Sequence, residues 1–69
     1  MYWVMITEAT EEWNGTTWVN YREIVHNNAY ATYEGAVSYL EDTFKMKPSE
    51  ELATTWIDYD GRVGTIIKK

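Results

Sequence analysis

The sequence predicts one α+β domain, residues 1–69, with the element order ββαββ: a four-stranded, mainly antiparallel sheet with one helix packed on one face. Three observations carry this expectation. Apolar residues recur with helical spacing in the middle of the chain, two tight-turn dipeptides (Asn14-Gly15 and Asp60-Gly61) sit among β-branched and aromatic residues on either side of it, and no linker or repeat divides the sequence. At 69 residues a chain has room for one core only.

The first strand spans about residues 2–8. Tyr2, Val4 and Ile6 alternate with Trp3 and Met5, so both faces of the strand are apolar. A half-exposed strand alternates apolar with polar, and two apolar faces signal cover on both sides. A single helix covers only one. Asn14-Gly15 is expected to close a two-residue turn, since both central positions of such a turn need positive φ. That register would set Met5 opposite Ile24 and Val4 opposite Val25; a bulged loop over Glu8 to Glu12 would turn the second strand over instead.

The second strand, about Trp18 to His26, ends at Asn27-Asn28. Thr32 is the expected N-cap of the helix, whose stripe Tyr33, Ala36, Val37, Leu40 and Phe44 falls at i, i+3, i+4, i+7 and i+11. Glu34 lies in the first turn and Lys45 in the last, as the helix dipole prefers. Gly35 sits in the helix interior, where it signals either close backbone packing or a suboptimal position. Lys47-Pro48 is expected to stop the helix, and Ser49 to Leu52 to form a single helical turn. Asp60-Gly61 then divides Thr54–Tyr59 from Arg62–Lys68 as a second hairpin. Two hairpins flanking a helix look like the β-grasp arrangement of immunoglobulin-binding bacterial domains, with first and last strands parallel at the centre of the sheet.

Composition narrows the function classes. Net charge is −5, and Glu8, Glu11 and Glu12 leave residues 1–21 with −3 and no Lys or Arg. Direct binding to nucleic acid or an anionic membrane is not expected from such a balance. No cysteine is present, so disulfides cannot supplement the core, and the cytoplasm is the expected compartment. The opening Met-Tyr-Trp-Val-Met-Ile run lacks the basic and apolar regions of a signal peptide, and no stretch approaches a membrane span.

No catalytic constellation emerges. His26 is the one side chain that titrates near neutrality, and it has neither a nucleophile nor further His or Cys residues to work with. The acidic pairs Glu11-Glu12, Glu41-Asp42 and Glu50-Glu51 point apart on regular elements, and Asp58-Tyr59-Asp60-Gly61-Arg62 lacks the Glu that completes a calcium loop. The glycines at positions 15, 35, 61 and 64 form no phosphate cradle. No enzyme activity, metal, cofactor or small-molecule substrate is expected.

Aromatic residues make up 16% of the chain, which includes four Trp and six Tyr, the types that dominate interaction hot spots. The expectation is a non-enzymatic protein-interaction module that docks a protein partner, or forms a weak homodimer, through the sheet face centred on Trp3 and Met5, with Trp13, Trp18, Tyr21 and Trp56 as further contact candidates. The alternative is an acidic inhibitor that mimics nucleic-acid phosphates at a DNA- or RNA-binding protein. The helix opening Thr32-Tyr33-Glu34-Gly35-Ala36 and the closing hairpin Trp56-Ile57-Asp58-Tyr59-Asp60-Gly61-Arg62 resemble the short acidic accessory proteins of phages and prophages of Gram-positive bacteria. That resemblance covers about a third of the chain and implies no site residue.

Overall fold

A computed structural model describes residues 1–58 and 60–69. The elements are β1 (Tyr2–Trp13), β2 (Trp18–Tyr30), α1 (Tyr33–Ser38) continuing as a π-helical segment (Tyr39–Thr43), β3 (Lys47–Pro48), β4 (Thr55–Ile57) and β5 (Val63–Lys68). They form one α+β unit with a five-stranded sheet in the order β2-β1-β5-β4-β3, and every neighbouring pair is antiparallel. Four strands were expected; the fifth is the short edge strand β3. It runs antiparallel to β4, and β5 in turn meets β1 antiparallel, so the parallel central pair of the β-grasp arrangement does not occur.

The first hairpin is longer than its turn dipeptide suggests. Asn14 to Thr17 form a four-residue loop, because the Asn14 side-chain oxygen accepts the backbone N–H groups of both Thr16 and Thr17 at 2.9 Å. Trp13 therefore pairs with Trp18, and a bulge places Val25 as the extra residue between Ile24 and His26. Met5 lies opposite Asn27 and Val4 opposite Asn28, which replaces the expected pairings with Ile24 and Val25.

Thr32 caps α1: its backbone is extended, and its hydroxyl oxygen accepts the Gly35 N–H at 3.0 Å. A Cβ on Gly35 would lie 3.1 Å from that same oxygen, so glycine gives the cap its closest approach. The helix ends at Thr43, before the expected Lys47-Pro48 stop. In its last turn the Phe44 N–H donates to the Tyr39 carbonyl at 3.2 Å, an i to i+5 bond, and Lys45 then turns the chain out with φ of 58°. Pro48 instead occupies an edge strand, where its missing N–H costs no ladder bond. The second hairpin connects Ile57 to Val63 across Asp58–Arg62, with Gly61 at φ 80°. Tyr59, assigned from sequence to the end of a strand, lies outside the described residues.

The core lies between the helix and one sheet face. Val4, Ile6, Ala36 and Leu40 are wholly buried, with Met46, Trp56 and Ile66 nearly so. At Gly64 the helical segment closely approaches the sheet: an added Cβ would sit 2.5 Å from Leu40 Cδ2 and 3.3 Å from Met46 Sδ. Trp56 closes the core, and its indole N–H donates to Glu41 Oε2 at 2.8 Å, which satisfies the polar atom of a buried ring.

Candidate interaction face

Cross-strand partners share a sheet face, so the register sorts the strand residues into two sets. Tyr2, Val4 and Ile6 lie on the helix side. Trp3, Met5 and Thr7 lie on the other, in rows with Ile67, Thr65 and Val63 of β5. These rows continue through Thr55 and Ile57 of β4 to Lys47 of β3. Among the described residues no element covers this open face. Trp3 and Met5 are half-buried by their neighbours alone, and with Asn27, Ile67 and Lys69 they line a depression of about 250 Å³.

The open face extends onto a projecting ribbon. Pairing of β1 with β5 stops at Thr7 and Val63, and beyond that row Glu8–Trp13 pair only with Trp18–Glu23. Six residues per strand at about 3.3 Å each make an arm of roughly 20 Å, and the molecule is correspondingly elongated, 45 × 23 × 20 Å. Two strands alone are marginal in water. Side chains reinforce this pair: Trp13 and Trp18 meet edge-to-face at 5.7 Å near the tip. At the base Arg22 donates to the Thr7 hydroxyl at 2.9 Å and to the Thr7 and Gly61 carbonyls at 3.1 and 3.0 Å.

The structure divides the contact candidates. Trp3, Met5, Trp13 and Trp18 share the open face. Tyr21 pairs with Thr10 on the opposite face of the ribbon, where its hydroxyl lies 3.4 Å from Glu12 Oε2. Desolvation, with Glu12 and Glu23 adding to it, raises the Tyr21 phenol above its ordinary value. Trp56 is a correction: at 5% exposure under the helix it has no surface to offer a partner, because Ile57 rather than Trp56 takes the outward position on β4.

Sequence reasoning missed three contributors. Ile24 (55% exposed), Ile57 (47%) and Ile67 (38%) all lie at open-face positions, alongside Trp13 (52%) and Trp18 (62%). The strand alternation of β5 was a usable signal for Ile67, and the expected pairing with Met5 already put Ile24 on this face, where it in fact lies opposite Thr7. Charge is also distributed unevenly. Of eleven acidic residues only Glu11 occupies a strand position on the open face, where Arg22 and Lys47 are also placed. The acids of the ribbon's other face are Glu8, Glu12 and Glu23, and Glu8 Oε2 lies 3.4 Å from Arg62 Nε.

His26 belongs to the helix side. Its ring stacks on Tyr39 at 4.5 Å, with Phe44 at 5.9 Å, and the hydroxyls of Tyr30 and Tyr39 lie 3.4 and 3.3 Å from its two ring nitrogens. Burial lowers its pKa below the ordinary value. This cluster packs a helix end onto β2. Among the described residues no group of His, Cys, Asp or Glu is arranged to hold a metal ion, and no helix is long and apolar enough to cross a membrane. No protein-family model, characterised protein sequence or solved structure matches the chain.

Proposed function

We propose that this chain is a non-enzymatic protein-interaction module that docks a folded protein surface through the open sheet face and the ribbon that prolongs it. One observation carries the reading: five exposed large apolar side chains share a face that no other element covers among the described residues. A small domain that leaves Trp13, Trp18, Ile24, Ile57 and Ile67 in water forgoes stability that burial would supply, about 25 cal/mol per Å² of apolar area. Exposed apolar surface of this kind, here in two patches separated on the ribbon by the Ala9–Arg22 and Glu11–Asn20 rows, marks docking sites. The acids lie mainly on the helix side and in the loops, which favours apolar docking over phosphate mimicry.

A photo-crosslinking residue tests the reading in the cells that make the protein. Placed at Thr65, in the middle of the open face, it should yield a covalent protein adduct; placed at Glu34, on the water-facing side of α1, it should not. Absence of an adduct from Thr65, or equal adducts from both positions, would overturn the assignment of this face.

A further inference from the structure

We infer that the surface docked on the open face is that of a second copy of this chain, packed sheet to sheet about a two-fold axis. The inference rests on the interaction reading above and adds the partner. Charge is the first argument. The molecule carries −5, so two copies repel over most of their surface. The strand positions of the open face hold only Glu11 against Arg22 and Lys47, and Lys69 lines the depression beside Trp3 and Met5. Like molecules therefore meet there with the least repulsion. The same balance disfavours other occupants: one acid is too few to attract a basic protein, and three scattered bases are too few to track a polyanion.

Area is the second argument. With strands about 4.8 Å apart and a rise of about 3.3 Å per residue, the open face and the ribbon present roughly 600 Å² per copy. A face-to-face pair then removes on the order of 1,200 Å² from water, the lower edge of the range for specific association. A dimer at that edge is weak, which suits a protomer that also folds alone. Shape agrees. Sheets pack face to face at about 10 Å with side chains interdigitating, and the depression between Trp3, Met5, Asn27, Ile67 and Lys69 gives a partner's apolar side chain a seat. An isologous contact uses one patch twice, so Trp13 and Trp18 of each ribbon lengthen the interface in both directions.

Sedimentation equilibrium of the purified chain from about 20 μM to 1 mM tests this directly. The expected result is a monomer–dimer equilibrium with Kd on the order of 100 μM, at least as tight at about 0.5 M salt as at about 0.15 M, because screening removes repulsion rather than attraction. Replacing Trp3→Ser together with Met5→Lys should weaken association by at least about tenfold, and Ile67→Glu should do the same from a position that leaves the helix core untouched. Tyr21→Ser, on the other face of the ribbon, should leave the dimer intact. Circular dichroism checks that each variant is folded. A monomer at every concentration and salt overturns the second-copy assignment, as does a dimer that survives both Trp3→Ser/Met5→Lys and Ile67→Glu. If that monomer still forms Thr65 adducts, to a protein of different mass, the interaction reading stands without self-association. If it forms none, both fail.

Discussion

Gly64 and Leu40 occupy the same space from opposite sides of the core, which makes them a sensitive pair for testing how the helix seats on the sheet. Leu40 is wholly buried, so Leu40→Ala leaves a cavity and should cost about 2–5 kcal/mol. A chain of 69 residues has a total stability of roughly 3.5–10 kcal/mol. Gly64→Ala acts in two opposed ways. It recovers about 0.5–1 kcal/mol of backbone entropy within a strand, but its methyl would lie 2.5 Å from Leu40 Cδ2, and overpacking of that order costs about 1–3 kcal/mol. In the native background the clash wins and Gly64→Ala destabilises. With Leu40 already truncated, the obstructing carbon is gone, and the flexible Met46 side chain, 3.3 Å from the added methyl, has the vacated space to give way into. The same substitution then fills part of the cavity and stabilises, by roughly 1–2 kcal/mol once about 0.8 kcal/mol for the buried methyl joins the entropy gain. The sign of the Gly64→Ala effect should therefore reverse between backgrounds. Urea unfolding followed by far-UV circular dichroism measures all four corners of the cycle, with an osmolyte present if Leu40→Ala is partly unfolded. Additive effects, or a Gly64→Ala change of the same sign in both backgrounds, would refute the close seating of the helical segment on β5.

Two further outcomes follow from local features. Gly61 has φ of 80°, so Gly61→Val should destabilise by about 1–3 kcal/mol, whereas Lys69→Ala, at an exposed position, should have little effect; equal melting temperatures for the two variants would contradict the turn geometry. Burial keeps the folded-state pKa of His26 below its value of about 6.5 in the unfolded chain. The unfolded state therefore takes up a proton that the folded state refuses. His26's contribution to stability is full above pH 6.5, declines as pH falls toward the folded-state pKa, and levels off below it. The urea midpoint should thus drop between about pH 7.5 and 5.5, and His26→Gln should shrink that drop; an unchanged drop in the variant would remove His26 from the explanation.

The helix was legible in the sequence because its determinants are local. Thr32 supplies a cap, and the spacing of the expected stripe finds the buried Ala36 and Leu40 and the partly buried Val37 without reference to the rest of the chain, although Tyr33 is exposed and Phe44 lies past the helix end. Its end was not, since the π-helical turn spends an extra residue and brings Met46, which lies outside the stripe, into the core. The two apolar faces of β1 were legible for the same local reason. Register was not: it depends on a single Asn14 side-chain oxygen that bonds two amides, and on where Val25 bulges. The longer loop moves the pairing by two residues and the Val25 bulge by a third, so Ile24 stays on the face of Met5 but pairs with Thr7, while Val4 and Met5 meet Asn28 and Asn27. Trp56 shows the same limit. In Trp56-Ile57 either apolar side chain could have faced the core, and only the pairing of Trp56 with Gly64 beneath the helix decides which. The antiparallel meeting of β1 and β5 is likewise set by tertiary pairing that no short motif announces.

The four indole N–H resonances report on both faces at once. Trp3, Trp13 and Trp18 belong to the open face, while Trp56 is held in the core against Glu41 and serves as an internal reference. Nitrogen–proton correlation spectra recorded from about 20 μM to 1 mM should show the signals of Trp3, Trp13 and Trp18 shifting or broadening together as dimer forms. The Trp56 signal should stay in place. Four unmoving signals, or a Trp56 signal that moves as far as the other three, would contradict face-to-face pairing through the side of the sheet that the helix leaves bare.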